Sequence, residues 1–153
     1  MAMLHRRQAG LALLALGAAA LPAPAALGQP ASGPVAWETD AGSEAIRAAR
    51  GALVAEIAEA RRAGQAELAF RAARVDLNQD RRPELLVLLE ADQACGTRGC
   101  NLRLYRPEGS RFVLLNTWDA MAVTVLHSRS GGWQDIRLDT GQVYRWTGRL
   151  YAP

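Results

Sequence analysis

Between Glu84 and Glu90 lies an unbroken apolar run, Leu85-Leu86-Val87-Leu88-Leu89. Five apolar residues in succession leave no polar face for water, so a strand built from them is expected to be central and buried on both sides. The segments around it alternate instead. Leu68, Phe70 and Ala72 alternate with Ala69, Arg71 and Ala73, and Leu102 and Leu104 alternate with Arg103 and Tyr105. Further strands are expected at 112–118, 122–127, 133–138 and 142–146, separated by Gly, Ser, Asp and Asn, and the short spacings favour hairpins over crossovers.

Before these strands, Ile46, Ala49, Leu53, Ile57 and Ala60 recur at steps of three and four. That period predicts one amphipathic helix of about five to six turns, capped at Asp40 or Ser43 and ended at Gly64. The expected fold class is α+β: one N-terminal helix packed on an antiparallel meander of about six strands. The turns after Tyr105-Arg106 and Tyr144-Arg145 echo one another, each followed by Gly, Arg and an aromatic residue, which predicts two hairpins of similar build.

The first residues read differently. Arg6 and Arg7 precede an apolar stretch from Gly10 to Leu21, then Pro22, Pro24 and small residues, the order expected of a cleavable secretory signal ending near Gly28. The stretch is shorter than the roughly 18 apolar residues needed to span a bilayer, so no stable membrane anchor is expected after cleavage. Residues 1–28 are therefore assigned to the signal, 29–42 to a flexible leader rich in Pro, Gly and Ser, and 43–153 to a single domain. The general secretory and the twin-arginine routes both remain open. The destination is periplasmic or secreted.

Removing 28 of 153 residues leaves 125, and the formal charge falls from +3 to +1 with the loss of Arg6 and Arg7. So small a charge argues against a nucleic-acid partner. All eighteen basic residues are arginine, which excludes lysine Schiff-base chemistry.

The most specific spacing is Asp76-Leu77-Asn78-Gln79-Asp80-Arg81-Arg82-Pro83-Glu84. Oxygen-bearing side chains stand at positions 1, 3, 5 and 9, and the Arg82 carbonyl stands at position 7. Calcium takes six to eight oxygen ligands, and a loop with ligands at alternate positions wraps one ion. The run, followed by the apolar strand Leu85-Leu86-Val87, resembles the calcium loops of FG-GAP and related VCBS-like repeats. That likeness implies a calcium ion held by Asp76, Asn78, Asp80, the Arg82 backbone carbonyl and Glu84. Position 6, a glycine in the family, is Arg81 here, and Val87 at position 12 disfavours an EF-hand. The alternative is a turn without an ion, in which Asp76, Asn78 and Asp80 bond backbone amides. More loosely, this turn with Cys95–Leu102, Arg106–Gly109 and Gly131–Asp135 resembles a group of small exported proteobacterial proteins of unknown function.

Cys95 and Cys100 are the only cysteines, and in an oxidising compartment they are expected to form a disulfide around Gly-Thr-Arg-Gly. Arg98 then stands at the tip of a candidate binding loop. His127 is the sole histidine after the signal; a Ser-His-Asp set with Ser128 or Ser130 and Asp119 or Asp135 is conceivable on paper, but a solvated histidine is expected. Asp135, Arg137 and Asp139 share a strand period and read as a salt-bridged surface. Arginines interleave with aromatics from Arg103 to Tyr151, which reads as a solvated sheet face over core tryptophans or as a surface for an anionic ligand.

No convincing catalytic constellation emerges. The leading expectation is a non-enzymatic exported module that binds an envelope or extracellular ligand or acts as an accessory subunit. Two alternatives stand beside it. One is an inhibitor of an envelope-directed hydrolase, presenting the Cys95–Cys100 loop; the other is a small metal-assisted hydrolase using Asp76, Asp80 and Glu84.

Overall fold

The computed structural model describes residues 32–65, 67–90 and 94–153. The expected signal segment and the start of the leader lie outside these residues. Within them the chain is mostly β, which corrects the α+β expectation: ten strands form two antiparallel sheets, and the helical part is two short helices. No helix among the described residues is long and apolar enough to cross a membrane.

The first sheet takes β2 (Phe70–Val75), β3 (Glu84–Leu89), β4 (Cys95–Gly96), β5 (Gly99–Glu108) and β6 (Arg111–Ala120). Here β3 lies between β2 and β5, β6 pairs with the other side of β5, and β4 folds back on the start of β5. The second sheet runs β1 (Gly33–Pro34), β7 (Val123–Ser130), β8 (Trp133–Leu138), β9 (Val143–Trp146) and β10 (Tyr151–Ala152) in that spatial order. The expected continuous meander therefore breaks between β6 and β7. At that corner, Asp139 accepts from the Met121 N–H and donates its own N–H to the Ala122 carbonyl. The two echoing turns are hairpins, β5–β6 and β9–β10.

The apolar run behaves as a strand buried on both sides. Leu85, Val87 and Leu89 face a cluster with Ala45, Ile46, Ala49 and Leu53 of the helical layer, while Leu86 and Leu88 face the second sheet. Alternate residues of a strand point to opposite faces, so β3 becomes the middle of three layers. The larger core lies between the sheets, where Trp133 stacks on Trp146 at 4.2 Å and both meet Tyr151 edge-on.

The single long helix is divided at Leu53 into α1 (Glu44–Ala52) and α2 (Val54–Arg62). Ser43 caps α1 by accepting from the Ile46 N–H, and Gly64, at φ 77°, ends α2. Gly51 stands just before the break and weakens a helix there by about 1 kcal/mol relative to alanine. Only α1 docks firmly: it buries Ala45, Ile46 and Ala49, whereas α2 buries Ala60 alone. The leader is fastened rather than loose from residue 33 onward. Gly33 and Pro34 pair with β7, Val35 donates to the Val123 carbonyl, and Glu38 bridges to Ala72 of β2.

Candidate binding ridge and the acidic turn

Cys95 and Cys100 are disulfide-bonded and face one another across the β4–β5 hairpin, with Gly96 opposite Gly99 and Thr97-Arg98 at the turn. Gly99 has φ +122°, and a Cβ built on it falls 2.8 Å from the N, Cα and C atoms of Ala120. Only glycine allows that approach, so the hairpin's second strand lies directly against the β6 backbone. On the other arm, Asn101 donates its N–H to the Ala94 carbonyl at 2.7 Å.

The hairpin stands between two open clefts, each of about 480 Å³. Thr97, Arg98 and Asp119 line both; Leu89 and Arg103 line the first, and Trp118 and Tyr144 the second. The Arg98 side chain is 82% exposed and donates to Asp119 Oδ2 at 3.0 Å, an exposed pair worth no more than about 1 kcal/mol. Arg103, by contrast, is engaged from within, by Glu56, by Asn101 Oδ1 at 2.9 Å and by the Tyr105 hydroxyl.

The Asp76–Glu84 turn has the expected position but spends its oxygens on the chain itself. Asp76 Oδ2 accepts from the Arg81 N–H, Asn78 Oδ1 from the Asp80 N–H, and Asp80 Oδ1 from the Arg82 N–H. Asp80 Oδ2 accepts from the Asn78 amide. Arg81 adopts φ 66°, the left-handed conformation that glycine would take at this position, and Gln79 does the same at 63°. Glu84 is fully buried, and its Oε2 accepts from the Leu77 N–H at 2.9 Å. Burial is the main cause that pushes its carboxyl up to about 7; the Leu77 N–H opposes the rise, and the Asp80 and Asp76 charges add to it.

Two buried oxygens of the turn, Asp76 Oδ1 and Glu84 Oε1, have no hydrogen-bond partner. Among the described residues no three acidic, His or Cys side chains gather closely enough to hold a metal ion, and Asp80 is exposed where Glu84 is fully buried. The Arg74 guanidinium also sits on the Pro83 carbonyl at 3.1 Å. The residues therefore do not fit the calcium ion that the FG-GAP resemblance implies, nor the metal set of the hydrolase alternative.

The other sequence candidates are not brought together. His127 Nε2 shares a hydrogen bond with Ser32, while Ser128 donates directly to Asp135 Oδ2 at 2.7 Å, so the Ser-His-Asp set built on Ser128 is not assembled among the described residues. Asp135 is buried, Arg137 exposed, and Asp139 bonds Met121, which replaces the expected salt-bridged strip. Trp133, Trp146 and Tyr151 are core residues, and among the described residues Arg74 is placed over a ring, above Phe112 at 5.5 Å.

No family model matches this chain, and no curated protein or solved structure shows significant similarity to it.

Proposed function

We propose that this chain is a non-enzymatic exported binding module that presents the Cys95–Cys100 hairpin as a preformed ridge to a protein partner. The observation that carries the reading is the hairpin's footing. A disulfide closes it, Gly99 fits it against Ala120, and a cleft runs along either side. A ridge between two grooves complements a concave surface. Because the loop is already fixed, little conformational entropy is lost when it docks. Arg98 supplies the charge at the tip, and its exposed pair with Asp119 is weak enough to exchange for a partner's carboxylate.

The ridge shape favours one partner class in particular, a hydrolase that attacks the cell envelope, because such an enzyme carries its substrate in a groove. Adding the oxidised protein to muramidase and envelope-peptidase turnover assays tests this. Inhibition is expected to weaken at least about tenfold in Arg98→Ala, the scale of one interface hot spot. Inhibition unchanged in that variant would dismiss the ridge as the contact. Full turnover by every enzyme in the panel would dismiss the hydrolase as partner.

A further inference from the structure

We propose that the Asp76–Glu84 turn is a cation-free clasp, held by hydrogen bonds within the loop and tied to the second sheet through Leu77, whose N–H Glu84 accepts. The turn joins β2 to β3, and Leu77 leaves the first sheet to enter the core between the two sheets, where it is fully buried. A buried peptide group needs partners for both its N–H and its C=O. Leu77 finds them on opposite sides: its N–H donates to Glu84 Oε2 at 2.9 Å, and its carbonyl accepts from the Gln134 N–H of β8 at 2.8 Å. Glu84 is therefore buried for a reason other than ligation. It is the acceptor that lets the backbone of Leu77 cross between the layers.

Most other side-chain oxygens of the turn bond within the loop. Asp76, Asn78 and Asp80 each accept a backbone N–H further along the same loop, and Asn78 bonds Asp80 across it. Alternate oxygen-bearing residues serve such a chain of side-chain turns as readily as they serve a metal loop. With Arg81 in the left-handed conformation, the loop reaches the sharp bend that the family's glycine provides.

Thermal unfolding of the oxidised protein, with excess calcium and then with chelator, tests the absence of the ion. A ligand that binds only the folded state raises the midpoint by several degrees at saturation. Coincident melts are expected; a calcium-dependent rise that Asp80→Ala abolishes would overturn the proposal. Two substitutions at residue 84 test the clasp itself. Glu84→Gln keeps an acceptor for the Leu77 N–H, and this variant is expected to melt at or above the unsubstituted chain at pH 8. Glu84→Leu removes the acceptor, and its midpoint is expected to fall by several degrees, with faster hydrogen exchange at the Leu77 and Gln134 amides. Equal melting and equal exchange in the two variants would overturn the clasp, and the glutamine variant alone decides the matter if the leucine variant fails to fold. A glutamine variant as unstable as the leucine variant would overturn it equally.

Discussion

The fit of the hairpin against β6 makes Gly99→Ala the most informative single change in the chain. Two costs add. The backbone at φ +122° is one that a residue with a Cβ rarely adopts, and holding it there costs about 1–3 kcal/mol. The new carbon also falls 2.8 Å from three backbone atoms of Ala120, and overpacking of that kind costs about 1–3 kcal/mol more. A main-chain strand cannot swing aside as a flexible side chain does. The total, about 2–6 kcal/mol, is a large part of the ~5–15 kcal/mol that holds a domain together. The midpoint of thermal unfolding should fall by about 8 °C or more, at roughly 4 °C per kcal/mol for a domain of this size.

The chain has one way to escape that cost, which is to release the hairpin from β6 while keeping the rest of the fold. Trypsin then cleaves after Arg98 faster, because the turn is no longer held, and the disulfide keeps the products together until reduction. Gly96→Ala is the control. Nothing lies within 4 Å of a Cβ built there, so its stability should change by less than about 0.5 kcal/mol. If Gly99→Ala matches Gly96→Ala in both midpoint and cleavage rate, the argument for a firmly seated ridge is wrong.

Three further outcomes follow from the same geometry. The Glu84 carboxyl, raised from 4.5 to about 7, binds its proton more tightly in the folded than in the unfolded chain, so it stabilises the fold below pH 4.5 and this contribution is lost as pH rises through 7; the difference between the unsubstituted chain and Glu84→Gln in urea unfolding should shift by about 3 kcal/mol between pH 4.5 and 8. Replacing both Cys95 and Cys100 with alanine should lower stability by about 2 kcal/mol, the loop-closure value for so short a ring, as read from denaturant midpoints. The Asn116 side chain accepts from the Tyr151 N–H and donates to its carbonyl, both at 2.9 Å, so Asn116→Ala should cost about 2 kcal/mol and loosen β10, seen as altered fluorescence of the Trp133–Trp146 stack.

The strands were legible because their signals are local. Alternation and turn residues mark each long strand, and the five-residue apolar run marks β3 as the strand buried on both sides. The division into two sheets was not legible, because the corner at Met121-Ala122 carries no Gly, Pro or Asn to distinguish it from another hairpin. It depends on Asp139, eighteen residues away, bonding the Met121 N–H. The two-residue strands β1, β4 and β10 are too short for alternation to show at all. The helix break has the same character: Ile46, Ala49 and Leu53 keep one face through Leu53, and only the exposure of Val54 beyond it shows that α2 no longer follows the sheet.

At the candidate site the limit is one of atoms rather than residues. Spacing placed the turn and the disulfide correctly, yet oxygens at alternate positions suit calcium and self-capping equally. In the folded chain the Asn78 and Asp80 oxygens hold backbone N–H groups of the loop, and the ninth position points at the Leu77 N–H. Glu84 reads along the chain as the polar edge of a strand, but it is enclosed because Leu77, seven residues earlier, needs an acceptor inside the core. Gly99 is the same case at longer range. Its neighbours Arg98 and Cys100 suggest only a turn, and its indispensable partner is Ala120, reached through the pairing of β5 with β6. Glu84 in the turn and Gly99 in the hairpin are therefore both determined by groups that only the folded chain brings beside them.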